Sequence, residues 1–437
     1  MDGPNGAAMF RPAADAVRAR EWATVAIVWA ACVVVLFARH PDLIRTPQFY
    51  AEDGVVFFRD AVFDGLGSLL TQYSGYHHLI PRAIAFAVAG APVAAQPALY
   101  VWITVFVQAA CCAALVPLMR TVVADAVLRA FTAVAAAAVV PANEMIGSLA
   151  NLQWFLNVPL LGAAVVPLSR GARWFARAAA VLAGATTPLG LLAAPLAAVL
   201  WWRRPAGRDP WTPTMYAVAS AVNVYTAPRD PNVRPSAHLL EAIASLTAMR
   251  VGDALVFGED AMKALAATPL LGVLLGLAVL LIVLIALGAQ RGPVLALVMG
   301  YFVVAPVALA ALGHDLQLAR FSDFTFFGAD RYFWGPCTAL VVALAFVLAG
   351  AAPARVARAV AAAALVAGFV TNGFEPVRYA DSGWTASSGS IEAWRAARDR
   401  GSPAGPAGAA IPPGPMTVPF PGCAPGGHGG VRPVCPQ

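Results

Sequence analysis

Charge is what this chain of 437 residues has least of. Asp, Glu, Lys and Arg together supply 12% of it, against roughly 25% in an ordinary soluble domain. So few charges cannot cover a water-facing surface, which excludes the two or three soluble domains that the length would otherwise suggest. Lysine is nearly missing: Lys263 stands alone beside 28 arginines, an imbalance that reads as a GC-rich genome and not as a chemical need. Glycine shows no three-residue period, so collagen is excluded, and no Cys/His spacing resembles a zinc site. Internal repeats of the kind that build many transporters are also absent.

What is present in excess is apolar. Hydrophobic residues make up 60% of the chain and the mean hydropathy is +0.70, which also excludes disorder. These figures describe an all-α polytopic membrane protein. A bilayer core of about 30 Å needs roughly 20 apolar residues per helix. Clear spans are expected at about 22–38, 97–119, 130–142, 152–168, 269–289, 293–313, 332–350 and 355–371, with shorter or proline-interrupted ones at 174–185, 188–202 and 211–225, about eleven in all. The first follows a leader (1–21) with Arg11, Arg18 and Arg20, and is followed by Arg39-His40-Pro41. Without a small-residue cleavage site it reads as a retained span, not a signal peptide. The transmembrane domain then covers 22–371, and a Gly/Pro-rich tail covers 372–437.

The segment 80–95 is ambiguous, being apolar but short, with Pro81, Arg82 and Pro92 in or beside it. The arginines arbitrate. If 80–95 does not cross, the inward loops hold 14 basic against five acidic residues, and the other side 15 basic against 18 acidic. That asymmetry follows the positive-inside rule, and a crossing at 80–95 would invert it. The expectation is therefore a multi-pass protein of the bacterial inner (plasma) membrane, with a cytoplasmic amino terminus and an extracytoplasmic carboxyl terminus. The long loops 39–96, 226–268 and 314–331 and the tail lie outside. Leu239, Leu240, Ile243, Leu246 and Met249 recur at helical spacing within 226–268, as in an amphipathic helix on the membrane surface.

Cys32, Cys111, Cys112 and Cys337 fall in spans, where they serve as small apolar fillers. Cys423 and Cys435 fall in the outer tail, an oxidising compartment, and are expected to pair as a disulfide.

Polar residues that could carry chemistry gather on the outer side. Phe49-Tyr50-Ala51-Glu52-Asp53-Gly54, then Phe57-Phe58-Arg59-Asp60, follows the first span. Its paired carboxylates can act as a general base or hold a divalent cation such as Mg or Mn, and the flanking aromatics suggest a partly buried position where basicity rises. The bland alternative is a solvated loop charge pair. Next comes Gln72-Tyr73-Ser74-Gly75-Tyr76-His77-His78-Leu79-Ile80-Pro81-Arg82, suited to a phosphate at headgroup level with Arg82 as bidentate donor. Its alternative is an interfacial aromatic belt with a snorkelling arginine, for which two histidines would be superfluous. Asn143 to Trp154, with Asn151, Gln153 and Trp154, forms an amide-rich turn. Thr186-Thr187-Pro188-Leu189-Gly190 breaks a pair of short helices, and Gly328-Ala329-Asp330-Arg331-Tyr332-Phe333-Trp334 opens the tenth span. Each could be a helix cap. Their shared sidedness argues for a single outer cleft, because polar groups at membrane depth are costly unless they line a cavity.

This arrangement resembles the GT-C superfamily of membrane glycosyltransferases, which take a sugar from a polyprenyl-phosphate carrier. Glu52-Asp53 stands where that superfamily puts its acidic pair, in the first extracytoplasmic loop after the first span. Tyr76-His77-His78-Leu79-Ile80-Pro81-Arg82, Asn151-Leu152-Gln153-Trp154 and Asp330-Arg331-Tyr332 are similar to stretches in bacterial members. The resemblance implies a GT-C-like fold, with helices at 55–70 and 80–95 of the first outer loop lying along the membrane. The large soluble domain that many members carry after their spans has no counterpart here.

The activity so implied is inverting transfer of a hexose or pentose to an acceptor hydroxyl on a glycan or lipid, in cell-envelope glycan or glycolipid synthesis. Asp53 is then the first choice for the base, with Glu52 as its partner or as a metal ligand. Arg82, Arg331, His77 and His78 are unranked candidates for the lipid phosphate, and Tyr76, Asn151, Gln153, Trp154, Asp330 and Tyr332 for sugar or phosphate. Membrane lipids are expected partners and nucleic acid is not. The rival readings are a lipid-linked sugar transporter or flippase, which should carry polar residues at mid-membrane, and a surface-polysaccharide polymerase or ligase, which would rely on arginine and histidine.

Overall fold

The computed structural model describes residues 11–138, 145–203, 208–226, 238–313, 331–350, 355–373, 384–400, 410–411 and 416–417. Among them the chain is almost wholly helical, and its strands are two pairs of two residues each. This is an all-α protein.

Five helices are long and apolar enough to cross a membrane. They are α1 (Arg11–Arg39) over 19–39, α3 (Gln96–Ala113) within the apolar run 93–118, α10 (Pro269–Arg291), α11 (Pro293–Gly313) over 293–312, and α12 (Arg331–Leu348). Between α1 and α3 lies α2 (Leu79–Val88), whose 10 residues rise about 15 Å, half the bilayer core. The helices at the remaining expected spans are shorter in their apolar parts: α4 (Ala126–Ala138), α5 (Leu152–Val165), α6 (Arg170–Gly184), α7 (Ala194–Arg203), α8 (Trp211–Thr226) and α13 (Arg355–Gly373).

The core is a helix-on-helix interior. α1 packs against α3 and α4, and α12 packs against α5, α11 and α13. Cys32, Cys111, Cys112 and Cys337 are buried thiols within it. At one end of this bundle arginines bind carboxylates and spare carbonyls. Arg120 pairs with Glu21 at 2.7 Å, Arg129 donates to Val123 O at 2.8 Å, and Arg291 donates to Val122 O and Ala349 O.

The segment 239–253 departs from expectation. Its helix α9 (Leu239–Leu246) runs into a π-helical turn, Thr247–Asp253. Leu240 is exposed, whereas Leu246 and Met249 are fully buried. Leu246 and Met249 therefore dock on protein, while Leu240 stays on the outside. Glycines permit this: a Cβ on Gly276 of α10 would overlap the Ala248 carbonyl, and one on Gly252 would strike the Gly276 backbone. Small residues let two backbones approach closely, as helices in lipid favour.

The tail also contains a helix that periodicity did not suggest. α14 (Trp384–Asp399) returns to the loop between α1 and α3, where Trp384 and Ile391 are buried with Phe49, Phe58 and Val93.

Candidate functional site

The end of the bundle where α1 finishes and α3, α5 and α12 begin carries a folded polar layer. Its first part is the loop after α1. Phe49 is buried against Phe58 and Tyr100, with ring centroids 4.9 Å away in both cases. Ala51 then takes φ +44°, a left-handed conformation uncommon for any residue but glycine. A π-helical turn, Asp53–Phe58, follows, and such turns concentrate at functional sites.

The bend at Ala51 sends the two carboxylates in different directions. Asp53 is buried, and its two oxygens accept the backbone N–H groups of Leu149 (2.9 Å) and Ala150 (2.8 Å) in the turn before α5. Burial drives its pKa from 3.8 up to about 8, against the pull of those amides. Glu52 instead lines a cavity of about 310 Å³. Tyr73 donates its hydroxyl to Glu52 Oε1 at 3.4 Å.

A hairpin supplies the next wall. β1 (Gln72–Tyr73) pairs antiparallel with β2 (Tyr76–His77). Ser74 and Gly75 both have positive φ, +52° and +80°, as a two-residue hairpin turn requires. The hairpin is pinned to α8. Asn223 accepts the His77 N–H at 2.6 Å and donates to the His77 and Gly184 carbonyls, while Gln72 Nε2 donates to Thr226 O at 2.8 Å. That pinning turns His77 toward Gln72, 2.9 Å between Nε2 atoms, and leaves Tyr76 and His78 on the cavity. Their rings stack with centroids 4.2 Å apart. Burial, reinforced by the Arg82 guanidinium, pushes His78 down to about 3, so its imidazole is neutral at physiological pH.

Arg82 does not reach the cavity. Its side chain is fully buried, donates to Asp60 Oδ2 at 3.0 Å and lies 5.4 Å from the Phe57 ring centre. Asp60 also binds Arg59 through Oδ1 at 2.7 Å. Arg82 thus closes an ion-pair layer behind Phe57.

The opposite wall comes from α5 and α12. Asn151, Gln153, Trp154, Arg331 and Tyr332 all line the cavity. Gln153 donates to the Tyr76 hydroxyl at 3.1 Å, and Trp154 meets Tyr332 edge-on at 5.0 Å. Trp154 Nε1 and Gln153 Oε1 are buried and meet no hydrogen-bond partner among the described residues.

One cavity therefore joins Glu52, Tyr76, His78, Asn151, Gln153, Trp154, Arg331 and Tyr332. Asp53, His77 and Arg82 stand behind its walls as anchors, while Asp330, Cys423 and Cys435 lie outside the described residues. Phe57, Tyr73, Ser74, Gly75 and Thr187 also line it. They fell within stretches singled out by sequence, but nothing there marked them individually. Asn223, which fixes the hairpin, carried no signal at all.

The described residues do not fit a divalent cation. Both Asp53 oxygens already face amide donors, leaving Glu52 as the carboxylate at the cavity, and no group of three His, Cys, Asp or Glu residues gathers among those described. Oxygen-loving cations want several such ligands. Among the described residues the chemistry on offer is one carboxylate, one guanidinium, amides, a neutral imidazole and aromatic faces. No family model, curated protein or solved structure matches the chain.

Proposed function

We propose that this membrane protein is an inverting glycosyltransferase of GT-C type, taking a hexose or pentose from a polyprenyl-phosphate carrier to an acceptor hydroxyl. The observation that carries the reading is Glu52 in the wall of the 310 Å³ cavity, across from Trp154, Tyr332 and Arg331. Pockets of this size suit small ligands. Aromatic faces suit the C–H faces of a sugar ring, and the unspent Trp154 Nε1 donor and Gln153 Oε1 acceptor suit hydroxyl groups, which both donate and accept.

Glu52 takes the role of base, and Asp53 that of the anchor that holds the acidic loop against α5. The acceptor hydroxyl gives its proton to the Glu52 carboxylate as its oxygen bonds to the anomeric carbon. The bond from that carbon to the phosphate oxygen breaks on the opposite face, so configuration inverts. The leaving lipid phosphate gains negative charge, which Arg331 at the cavity wall stabilises. Among the four cation candidates Arg331 is favoured, since Arg82 is committed to Asp60, His78 is neutral, and His77 faces Gln72.

The same reading places the protein in the bacterial plasma membrane with about eleven crossings, the cavity on the outer side, and the 53–70 and 79–88 helices along the surface. A flippase would need polar groups continuing through the bundle, whereas the second cavity, about 110 Å³, is walled almost entirely by apolar side chains. A polymerase or ligase relying on arginine and histidine would leave Glu52 without a role. The test is incubation of purified protein with a panel of polyprenyl-phosphate sugars, read as sugar transferred. Transfer from at least one carrier supports the reading, and none across hexose and pentose donors removes it.

A further inference from the structure

Glu52 reaches the cavity because Ala51 holds φ +44°. A non-glycine residue in such a conformation costs of order 1–3 kcal/mol and persists only where its surroundings over-determine it. On one side the restraint is local: Asp53 grips the Leu149 and Ala150 amides. On the other side is Phe49, two residues before Ala51, whose ring sits in a box of Phe58, Tyr100 and Trp384.

Trp384 closes that box from the far end of the sequence. Its ring meets Phe49 edge-on at 4.7 Å and Phe58 edge-on at 5.6 Å, and it is 3% exposed. The helix that carries it is fastened to the same loop. Glu392 Oε2 accepts the Val93 N–H at 3.1 Å, and Arg395 donates to Ala91 O at 3.3 Å. Ile391, two turns on along the same face as Trp384, is fully buried.

We infer that Trp384 is a positioning residue for Glu52: α14 clamps Phe49, and the clamp keeps Ala51 in the left-handed turn that sends Glu52 into the cavity. The chemical importance of Glu52 rests on the proposed function, but its placement by Trp384 does not. Without the indole, Phe49 loses one wall and Ala51 relaxes toward negative φ. The backbone bonds of the turn, Asp53 N–H to Tyr50 O, Gly54 N–H to Ala51 O and Val55 N–H to Ala51 O, then open.

The experiment is hydrogen exchange over residues 53–55 in the full-length purified protein, comparing the parent, Trp384→Ala, Trp384→Phe and Trp384→Ala with Ala51→Gly. Glycine occupies positive φ without strain, so it should replace what the clamp supplies. Trp384→Ala is expected to speed exchange at 53–55 by about tenfold, within the strain range of a left-handed alanine. Trp384→Phe should retain most of the protection, and Ala51→Gly should restore it in the Trp384→Ala background. Unchanged exchange in Trp384→Ala would overturn the inference. So would a loss spread evenly over the outer loop that Ala51→Gly leaves uncorrected, because that is what plain loss of stability produces. Turnover with a lipid-linked sugar, measured in parallel, should follow the protection, falling in kcat with little change in KM. If no variant and no parent transfers sugar, the proposed function fails while the exchange result stands.

Discussion

Replacing Asp53 by Asn tests whether this residue is an anchor. The Asp53 carboxyl group presents one oxygen to each of two amides, Leu149 N–H and Ala150 N–H. Asparagine keeps one acceptor and turns an NH2 group toward the other amide. One hydrogen bond is lost and a buried donor is left unmet, together costing about 2–4 kcal/mol. At 1.4 kcal/mol per tenfold, local opening of the 145–151 turn should rise by roughly 30- to 700-fold where it exchanges by local fluctuation.

The parent should also show a pH signature. Burial raises Asp53 from 3.8 to about 8 in the folded state. Its contribution to stability is therefore fully present below 3.8 and is lost as the pH rises through 8. Exchange of the Leu149 and Ala150 amides should increase between about pH 4 and about pH 8 beyond the intrinsic rise and show no further excess above that, and the Asn variant should lose that excess. The assay is site-resolved hydrogen exchange with thermal melting in the same detergent. Amides as well protected in Asp53→Asn as in the parent, with an unchanged melting temperature, would refute the anchoring role.

Asp60→Asn should be more damaging, because it leaves the fully buried Arg82 guanidinium uncompensated. A loss of about 3–5 kcal/mol is expected, seen as a lower melting temperature, and a shift near zero would show that the pair is not buried as described. Cysteine labelling in intact cells should place Arg120 on the cytoplasmic side and Ser74 on the outer side, and finding both on one side would overturn the proposed orientation.

The class of the fold was legible because it follows from composition: too little charge for a water surface leaves packed helices in lipid as the remaining solution. The cavity was partly legible for a related reason. Asn151 with Gln153, Tyr76 with His78, and Arg331 with Tyr332 are polar or amphipathic insertions at the ends of apolar runs, and segments that start at the same end of a bundle can meet there. Which neighbour of a pair faces the cavity was not legible. Glu52 and Asp53 differ by one residue, and their directions depend on a backbone angle at Ala51 and on amides nearly a hundred residues away. Arg82 read as a phosphate donor because the sequence does not show that Asp60 already holds it. The hairpin at 72–77 was marked only by Ser74-Gly75, a short turn signal between aromatics. Helix α14 and Trp384 gave too little apolar periodicity to stand out beside the spans, and the docking of 247–253 depends on Gly276 of a different helix.

The central claim is that Glu52 is the cavity carboxylate that takes the acceptor proton. Its most direct measurement is sugar transfer from a polyprenyl-phosphate donor by Glu52→Gln and parent protein at equal concentration, with melting temperatures recorded alongside. Glutamine keeps the size and the contact with Tyr73 while removing the basicity. Turnover should fall by about 10²–10⁴-fold with an unchanged melting temperature, because Glu52 holds no ion pair among the described residues. Glu52→Gln turning over at the parental rate would contradict the account.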